Sequence, residues 1–223
     1  MNRYKELSQY HKQFDIITNW IYYPIATFLC SVMSYTSISP NSITFLAISF
    51  ELIAFYLILT NFTQLAIIIV LLLQFGWIFD LMDGMMARFK KMGYYHPTEP
   101  SNKGYYLDAV SDHILKFMII AALGYELSKN HEFGWEIGML ALVIHAITQT
   151  EHTLRSLIKK GSSQPENKNN NFSTHIALAM NNIYLFYLIF IPINRIDLLL
   201  IFFATFEIIL LLKRVTFFWI NEP

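Results

Sequence analysis

Residues 63–83 have the sequence Thr-Gln-Leu-Ala-Ile-Ile-Ile-Val-Leu-Leu-Leu-Gln-Phe-Gly-Trp-Ile-Phe-Asp-Leu-Met-Asp, an apolar run that ends in two aspartates. A run of about 18 apolar residues is long enough for a helix to cross the hydrocarbon core of a bilayer. This stretch therefore predicts a membrane-spanning helix whose end carries carboxylates. The composition agrees, because 55% of the 223 residues are hydrophobic and 14% are charged, whereas soluble domains carry roughly 25% charged residues.

Further apolar runs of similar length occur along the chain. The six predicted spans are 42–60, 63–81, 107–127, 135–157, 174–193 and 196–215. They predict an all-α membrane protein with a single domain over 1–223, in which residues 42–215 form a six-helix bundle. The formal net charge is zero, so no nucleic-acid partner is expected. The single cysteine, Cys30, has no partner for an intramolecular disulfide.

Segment 16–38 is apolar in a different way. Its large apolar residues fall in adjacent pairs, such as Trp20 with Ile21 and Phe28 with Leu29, and polar residues lie between the pairs. A one-sided stripe of this kind is typical of an amphipathic helix in the membrane interface. The alternative is that this segment forms a seventh span.

The distribution of basic residues favours the interfacial helix. If residues 1–41 form a cytoplasmic and interfacial segment, thirteen of the sixteen Lys and Arg residues lie in or beside cytoplasmic segments. Cytoplasmic loops of membrane proteins carry such an excess of positive charge. A seventh span would instead move Arg3, Lys5 and Lys12 to the outside. We therefore predict six membrane spans after an N-terminal interfacial helix.

Four aspartates are grouped at the cytoplasmic ends of two consecutive predicted spans. Asp80 and Asp83 are three residues apart, and Asp108 and Asp112 are four apart, so each pair lies on one helix face. A single aspartate near a span end is commonly a cap or loop residue at the water interface. Four at these spacings form a set of hard oxygen ligands, which suits magnesium or manganese.

Small and basic residues flank the aspartates. Gly84 follows Asp83, and Gly104 lies four residues before Asp108; glycine allows helix backbones or a phosphate to come close. Arg88 lies one turn beyond Gly84 and can bind phosphate oxygens through its guanidinium fork. The alternative for Arg88 is a positively charged anchor at the membrane surface.

Other polar residues inside the predicted spans have no motif. Lys116 either balances the carboxylates, meets a phosphate, or extends to the interface. Glu51 and Glu207 lie near the middle of their spans, where we expect pairing between helices. A face of the fourth span, with Arg155 beside it, is a candidate pocket for a phosphorylated alcohol. That face comprises His145, Gln149, His152 and Ser156, followed by Lys159 and Lys160.

Two stretches together resemble the CDP-alcohol phosphotransferase family. The resemblance is carried by Asp80-x2-Asp83-Gly84-x2-Ala87-Arg88 followed by Gly104-x3-Asp108-x3-Asp112, and by Pro40-Asn41-x2-Thr44, which is similar to the family's pattern before its first span. The spacer Phe89–Lys103 is longer than the family's usual spacer. The added length falls in a loop, where it leaves both aspartate pairs intact.

The resemblance implies a transferase that moves a substituted phosphate from a CDP-alcohol, such as CDP-diacylglycerol, to an acceptor hydroxyl and releases CMP in phospholipid biosynthesis. It implies two divalent cations, Mg²⁺ or Mn²⁺, bound by Asp80, Asp83, Asp108 and Asp112. Asp112 is also implied as the catalytic general base. The CDP-binding positions that it implies are Gly84, Ala87, Arg88, Gly104, Asn41 and Thr44.

The resemblance also carries expectations about partners and location. The chain is expected to be integral to the cell inner membrane, to have its active site facing the cytoplasm and to use membrane lipid as a substrate. The acceptor stays open among glycerol 3-phosphate, serine, inositol or its phosphate, and another lipid. The donor alcohol stays open between a lipid and a soluble alcohol. A homodimer is usual in the family.

Two other functions use similar residues. An intramembrane prenyltransferase also binds a diphosphate through aspartates and magnesium, but such enzymes resemble longer chains without the frame of Gly84, Ala87 and Arg88. A divalent-cation transporter also needs acids within the membrane. Its sites commonly lie at broken helices near the midplane, whereas the aspartates here lie at one face.

Overall fold

A computed structural model of the chain describes residues 3–12, 14–161 and 182–221. Every regular element within these ranges is helical, which confirms the predicted all-α class. The main helices are α1 (Arg3–Ser8), α2 (Tyr23–Met33), α3 (Pro40–Phe89), α4 (Lys103–Ser128), α5 (Gly134–Gly161), α6 (Ile183–Phe190) and α7 (Ile196–Asn221), with a π-helical turn at Thr18–Tyr22 and a 3-10 turn at Gly93–Tyr95. The chain divides inside α4 into two compact units, Met1–Ile119 and Ile120–Pro223.

The helices cover most of the predicted spans. Helices α4, α5 and α7 include the ranges 107–127, 135–157 and 196–215. Helix α6 covers residues 183–190 of span 174–193. Residues 174–181 of that span, and residues 162–173 before it, lie outside the described residues. Within the described part of the chain, the stretch Pro40–Tyr95 is long and apolar enough to cross a membrane.

Helix α3 is a hairpin of two antiparallel arms, 40–60 and 66–89. The backbone leaves helical geometry at Asn61 (φ −142°, ψ 37°) and Leu65 (φ −116°, ψ 17°), beside the break that the sequence predicts at Thr60-Asn61. Beyond this turn the chain runs back along itself, so that the ring of Phe50 lies 5.4 Å from that of Phe79. The hairpin therefore brings the start of α3 beside the aspartates at its end.

The segment before α3 is attached to the second arm of the hairpin. The hydroxyl of Tyr22 donates a hydrogen bond to Gln74 Oε1. The ammonium of Lys90 donates to the carbonyls of Thr36, at 3.0 Å, and Ile38, at 2.8 Å. These bonds hold the N-terminal helices against the arm that carries Asp80 and Asp83.

Helix α2 and the turn before it have one buried face and one exposed face. Tyr23, Ala26 and Cys30 are almost fully buried, at the spacing of successive helical turns. Trp20 and Phe28 point outward and are 80% and 60% exposed. The large apolar residues that the sequence singles out in this segment thus lie on the outer face.

The loop between α3 and α4 is closed at its base. The backbone N–H of Ser101 donates to the carbonyl of Gly93 at 3.0 Å, and Gly93 has a positive φ of 62°. Residues 94–100 are exposed and lie beyond this hydrogen bond. Most of the extra spacer length therefore forms a surface loop, residues 94–100, whose two ends lie close together.

The unit Ile120–Pro223 is held by close helix packing and a buried polar pair. A Cβ atom on Gly124 of α4 would lie 2.7 Å from Cα of Gly138 of α5, so the two backbones approach as only glycines permit. His145 Nδ1 of α5 and Glu207 Oε1 of α7 are 3.1 Å apart, and both side chains are buried. The expected pairing of Glu207 between helices is therefore present.

Candidate active site

Three carboxylates converge where α3 ends and α4 begins. Oxygen atoms of Asp80, Asp83 and Asp108 all lie within 4.8 Å of one another. Carboxylates this close repel strongly where water is partly excluded, and a cation between them removes that repulsion. Since all three ligands are hard oxygen atoms, the donor set fits Mg²⁺ or Mn²⁺.

Thr44 fixes one of these carboxylates from the opposite arm of the hairpin. Its hydroxyl Oγ1 lies 2.6 Å from Asp83 Oδ2 and donates to it. Both residues are 6% exposed, so this hydrogen bond is shielded from water. The bond orients the Asp83 carboxylate within the cluster.

Asp112 is held apart from the three clustered carboxylates. Lys116, one turn later on α4, donates a hydrogen bond of 2.7 Å from Nζ to Asp112 Oδ2. Asp112 nevertheless lines the same cleft as Asp80 and Asp108, together with Ser111. The cleft has a volume of about 10 Å³, which is space for about one water molecule or small ion.

The positively charged side of the site is formed by Arg88. A Cβ atom on Gly84 would lie 3.4 Å from Arg88 Nη1, so the glycine leaves space next to the guanidinium. Arg88 Nε is buried and has no hydrogen-bond partner among the described residues. A donor with these properties suits an anionic ligand. Ala87, one residue earlier, is partly exposed, and its carbonyl accepts from the N–H of Met92 at 2.9 Å.

The remaining predicted CDP-binding positions lie where two helices begin. A Cβ atom on Gly104 would come within 2.9 Å of Asn41 Oδ1. The first turn of α4 and the first turn of α3 therefore approach closely, with Asn41 exposed at the surface. Any larger residue in place of Gly104 would displace the Asn41 amide.

The N-terminal segment contributes residues that no motif indicates. His11 Nε2 lies 2.6 Å from Thr27 Oγ1, and its ring stacks on Tyr23 with centroids 4.3 Å apart. Burial, and secondarily the positive charge of Arg88, lower the pKa of His11. Lys12, the next residue, is exposed, and its backbone N–H donates to Tyr23 Oη at 2.9 Å. Neither residue has a pattern around it that could have predicted these contacts.

The predicted acceptor face on the fourth span does not form one open surface in the described residues. His145 faces the core and pairs with Glu207 instead. Arg155 Nε lies 3.3 Å from Glu151, and His152 is exposed. The side chains of Ser156, Lys159 and Lys160 lie outside the described residues. Rotation of α5 about its own axis, which the sequence does not fix, accounts for the inward position of His145.

Comparison with known proteins gives a family match over most of the chain. The profile of the CDP-alcohol phosphatidyltransferase family matches residues 37–219. The chain belongs to the CDP-alcohol phosphatidyltransferase family. The match contains every residue of both sequence motifs, from Pro40 to Asp112, while His11 and Lys12 precede it.

Membership assigns the chain to a class of transferases that use a CDP-alcohol as the phosphatidyl donor, and it confirms the resemblance identified in the sequence. None of the curated proteins matches the chain. The family match therefore gives the class of reaction, and the donor and acceptor alcohols are to be determined.

Proposed function

We propose that this CDP-alcohol phosphatidyltransferase moves a substituted phosphate, most simply a phosphatidyl group, from CDP-diacylglycerol or a related CDP-alcohol to an acceptor hydroxyl. The acceptor oxygen forms a bond to the phosphorus next to the donor alcohol, the bond from that phosphorus to CMP breaks, and CMP leaves with the electron pair. The observation that carries this proposal is the convergence of Asp80, Asp83 and Asp108 inside the family match.

In this reaction Asp112 takes the proton of the acceptor hydroxyl, because it lines the cleft without belonging to the three-oxygen cluster. Arg88 binds phosphate oxygens of the donor, and the Gly84 backbone leaves them room. Asp80, Asp83, Asp108 and Asp112 would hold two divalent cations, which neutralise the diphosphate and stabilise the departing CMP when bound. Ala87, Gly104, Asn41 and Thr44 complete the proposed CDP contacts.

The proposed membrane arrangement has six spans, the segment 16–38 in the interface and the active site at the cytoplasmic face of the inner membrane. The exposed apolar face of α2 and of the turn before it supports the interfacial position, since Trp20 and Phe28 require an apolar surrounding. The positions of the basic residues support the orientation.

Cysteine labelling tests this orientation, because Cys30 is the sole cysteine and is buried. Both labels are introduced in a Cys30→Ser background. Thr98→Cys lies in the loop between the second and third spans, which is proposed to be cytoplasmic. Asn130→Cys lies in the turn between the third and fourth spans, which is proposed to be external. A membrane-impermeant maleimide added to intact cells should label only Asn130→Cys. Labelling of Thr98→Cys alone would reverse the proposed orientation.

Release of CMP tests the reaction. Purified protein in lipid nanodiscs with Mg²⁺ or Mn²⁺ should release CMP from CDP-diacylglycerol in the presence of one acceptor among glycerol 3-phosphate, serine, inositol, inositol phosphate or a lipid alcohol. Soluble CDP-alcohols form a parallel series of donors. The Asp112→Asn variant should lose most of the activity. Absence of CMP with every donor and acceptor, or full activity in Asp112→Asn, would overturn the proposal.

The same preparation tests the two alternative functions. A prenyltransferase would consume an isoprenoid diphosphate and release diphosphate, and a transporter would move divalent cations into sealed vesicles. The family match favours phosphotransfer over both. A homodimer stays a prediction, which the mass of the detergent-solubilised protein tests directly.

A further inference from the structure

A fifth carboxylate faces the aspartate cleft. Glu51, in the first arm of α3, is 4% exposed and lines the same cleft as Asp80, Asp108 and Asp112. The family motifs do not include it, because it lies seven residues beyond Thr44 in the middle of the arm. None of the residue roles proposed above involves Glu51.

Gly76 makes the space that Glu51 occupies. A Cβ atom on Gly76, in the second arm, would lie 2.7 Å from Glu51 Cγ and 3.1 Å from Glu51 Oε1. These distances are too short for any side chain, so glycine at this position allows the carboxylate to lie between the two arms. The packing of the hairpin therefore leaves room for the Glu51 carboxylate between the arms, on the lining of the cleft.

Lys116 is the cation of this cleft. Its ammonium donates to Asp112 at 2.7 Å, and the carboxylates of Asp80 and Glu51 lie near enough for their charges to act on it. The side chain of Lys116 is 19% exposed and that of its partner Asp112 is 31% exposed, so the pair is partly shielded from water. A partly shielded ammonium is stabilised by neighbouring anions.

The charges of the cleft explain why a second anion is present. The four aspartates, Glu51 and Lys116 together carry a formal charge of minus four, which two divalent cations neutralise. A cation bound near Asp112 competes with Lys116 for that carboxylate. Glu51, which neither motif assigns to a cation, then remains as an anion for the ammonium.

We propose that Glu51 is a positioning residue: it shares Lys116 with Asp112, retains the ammonium when Asp112 turns to a cation, and thereby keeps Asp112 available for the transfer reaction. The inference rests on the proposed function for its chemical role. Its direct consequence is a change in cation affinity, which is measurable without any turnover.

Titration of purified protein with Mn²⁺, followed through the electron paramagnetic resonance signal of the free ion, tests this proposal. Glu51→Gln makes the cleft one charge less negative and leaves Lys116 on Asp112, so Mn²⁺ should bind about tenfold more weakly, a typical strength of coupling between sites. Lys116→Met should bind Mn²⁺ more tightly than the native chain. The double variant Glu51→Gln/Lys116→Met restores the native charge, so its affinity should return toward the native value.

Steady-state rates give the second readout. Glu51→Gln should lower kcat about tenfold with little change in KM for the CDP-alcohol, because the donor contacts stay intact while Asp112 is held by Lys116. Glu51→Asp keeps the charge and should recover part of that rate. Glu136→Gln, which removes an exposed acid at the start of α5, is the matched control and should leave both Mn²⁺ binding and kcat unchanged.

Native Mn²⁺ affinity in a folded Glu51→Gln protein would overturn the proposal. So would equal weakening in Glu51→Gln and in the double variant, because a purely structural role predicts no recovery from removing Lys116. Failure of the proposed function is recognised separately, since then the native protein itself releases no CMP. Circular dichroism and gel filtration establish folding for each variant. If Glu51→Gln alone does not fold, the double variant is compared with Lys116→Met, from which it differs by the charge of Glu51, and it should bind Mn²⁺ more weakly; equal affinity in these two would overturn the proposal.

Discussion

Thr44 and Asp83 are 39 residues apart in the chain and are joined by a buried hydrogen bond of 2.6 Å. The bond crosses the α3 hairpin from the first arm to the second. It sets the orientation of one carboxylate in the three-oxygen cluster, and it also fixes how the two arms align. The site and the hairpin are therefore stabilised by the same contact.

Replacement of Thr44 tests the importance of this bond. Thr44→Val keeps the shape but removes the hydroxyl, so it should lower kcat/KM for CMP release about tenfold or more, as is usual when a residue that orients a metal ligand is lost. Thr44→Ser keeps the donor and should stay within a few-fold of the native rate. Equal rates in the two variants would show that the methyl group, and not the hydroxyl, matters at this position.

Cation binding should stabilise the folded protein. A cation bound among Asp80, Asp83 and Asp108 relieves their mutual repulsion, so Mn²⁺ at about 100 times its Kd should add about 2.7 kcal/mol to the free energy of unfolding. Chelation by EDTA should reverse the rise in Tm. Asp80→Asn should reduce the Mn²⁺-dependent rise, while Glu132→Gln, at an exposed acid, should not. A native-sized rise in Asp80→Asn would argue against this cluster as the binding site.

Arg88 should act through the geometry of its guanidinium as well as through its charge. Arg88→Lys keeps the charge but loses the planar fork that binds two phosphate oxygens together. We expect KM for the CDP-alcohol to rise about tenfold, the effect of losing roughly 1.4 kcal/mol of binding. Lys91→Arg, at an exposed residue of the same segment, should leave KM unchanged. An unchanged KM in Arg88→Lys would assign Arg88 to the membrane surface instead of the donor.

The contact between Gly124 and Gly138 should tolerate no side chain. Gly124→Leu inserts bulk where a Cβ alone would lie 2.7 Å from the partner backbone, so it should destabilise the fold by about 2 kcal/mol. The fall in Tm checks this value. Thr150→Ala, on an exposed position of α5, is the comparison and should shift Tm little. A Tm equal to the native one in Gly124→Leu would contradict the close approach.

Stability should depend on pH through His11. Because the folded state lowers the pKa of His11, protonation favours the unfolded chain. The free energy of unfolding should therefore fall as the pH drops from about 7.5 toward 5, the range in which histidine titrates. His11→Gln retains an N–H donor for Thr27 without titrating in this range, so its dependence on pH should be smaller. Chemical denaturation at several pH values measures the difference, with the exposed His131→Gln as the control. Identical slopes in the native protein and in His11→Gln would contradict this assignment.

The position of the carboxylates could be inferred from sequence for a physical reason. Charge is scarce in the apolar part of this chain, so Asp80, Asp83 and Asp108 stand out, and helical spacing places neighbouring acids on one face. The turn near Asn61 is equally predictable from sequence, because a polar break between two long apolar runs indicates where one span ends and the next begins. Both features depend only on the order of residues within a short stretch of the sequence.

Contacts between helices cannot be predicted from the sequence in this way. Rotation of each helix about its axis decides that His145 meets Glu207 and that Glu51 faces the cleft, and an apolar span sets that rotation only weakly. Lys116 was a candidate partner for the carboxylates because it follows Asp112 by one turn, whereas the space at Gly76 becomes visible only when both arms of the hairpin are present.

The hydrogen bond between Ser101 and Gly93 has a practical consequence for protein engineering. The bond closes the surface loop 94–100 at its base. A peptide inserted within this loop therefore lengthens its tip and leaves the distance between α3 and α4, which carry the aspartates, unchanged. An affinity tag or a fluorescent reporter placed between Pro97 and Thr98 would report on this protein from within a few residues of its catalytic helices. Purification and imaging would then require no fusion at either terminus.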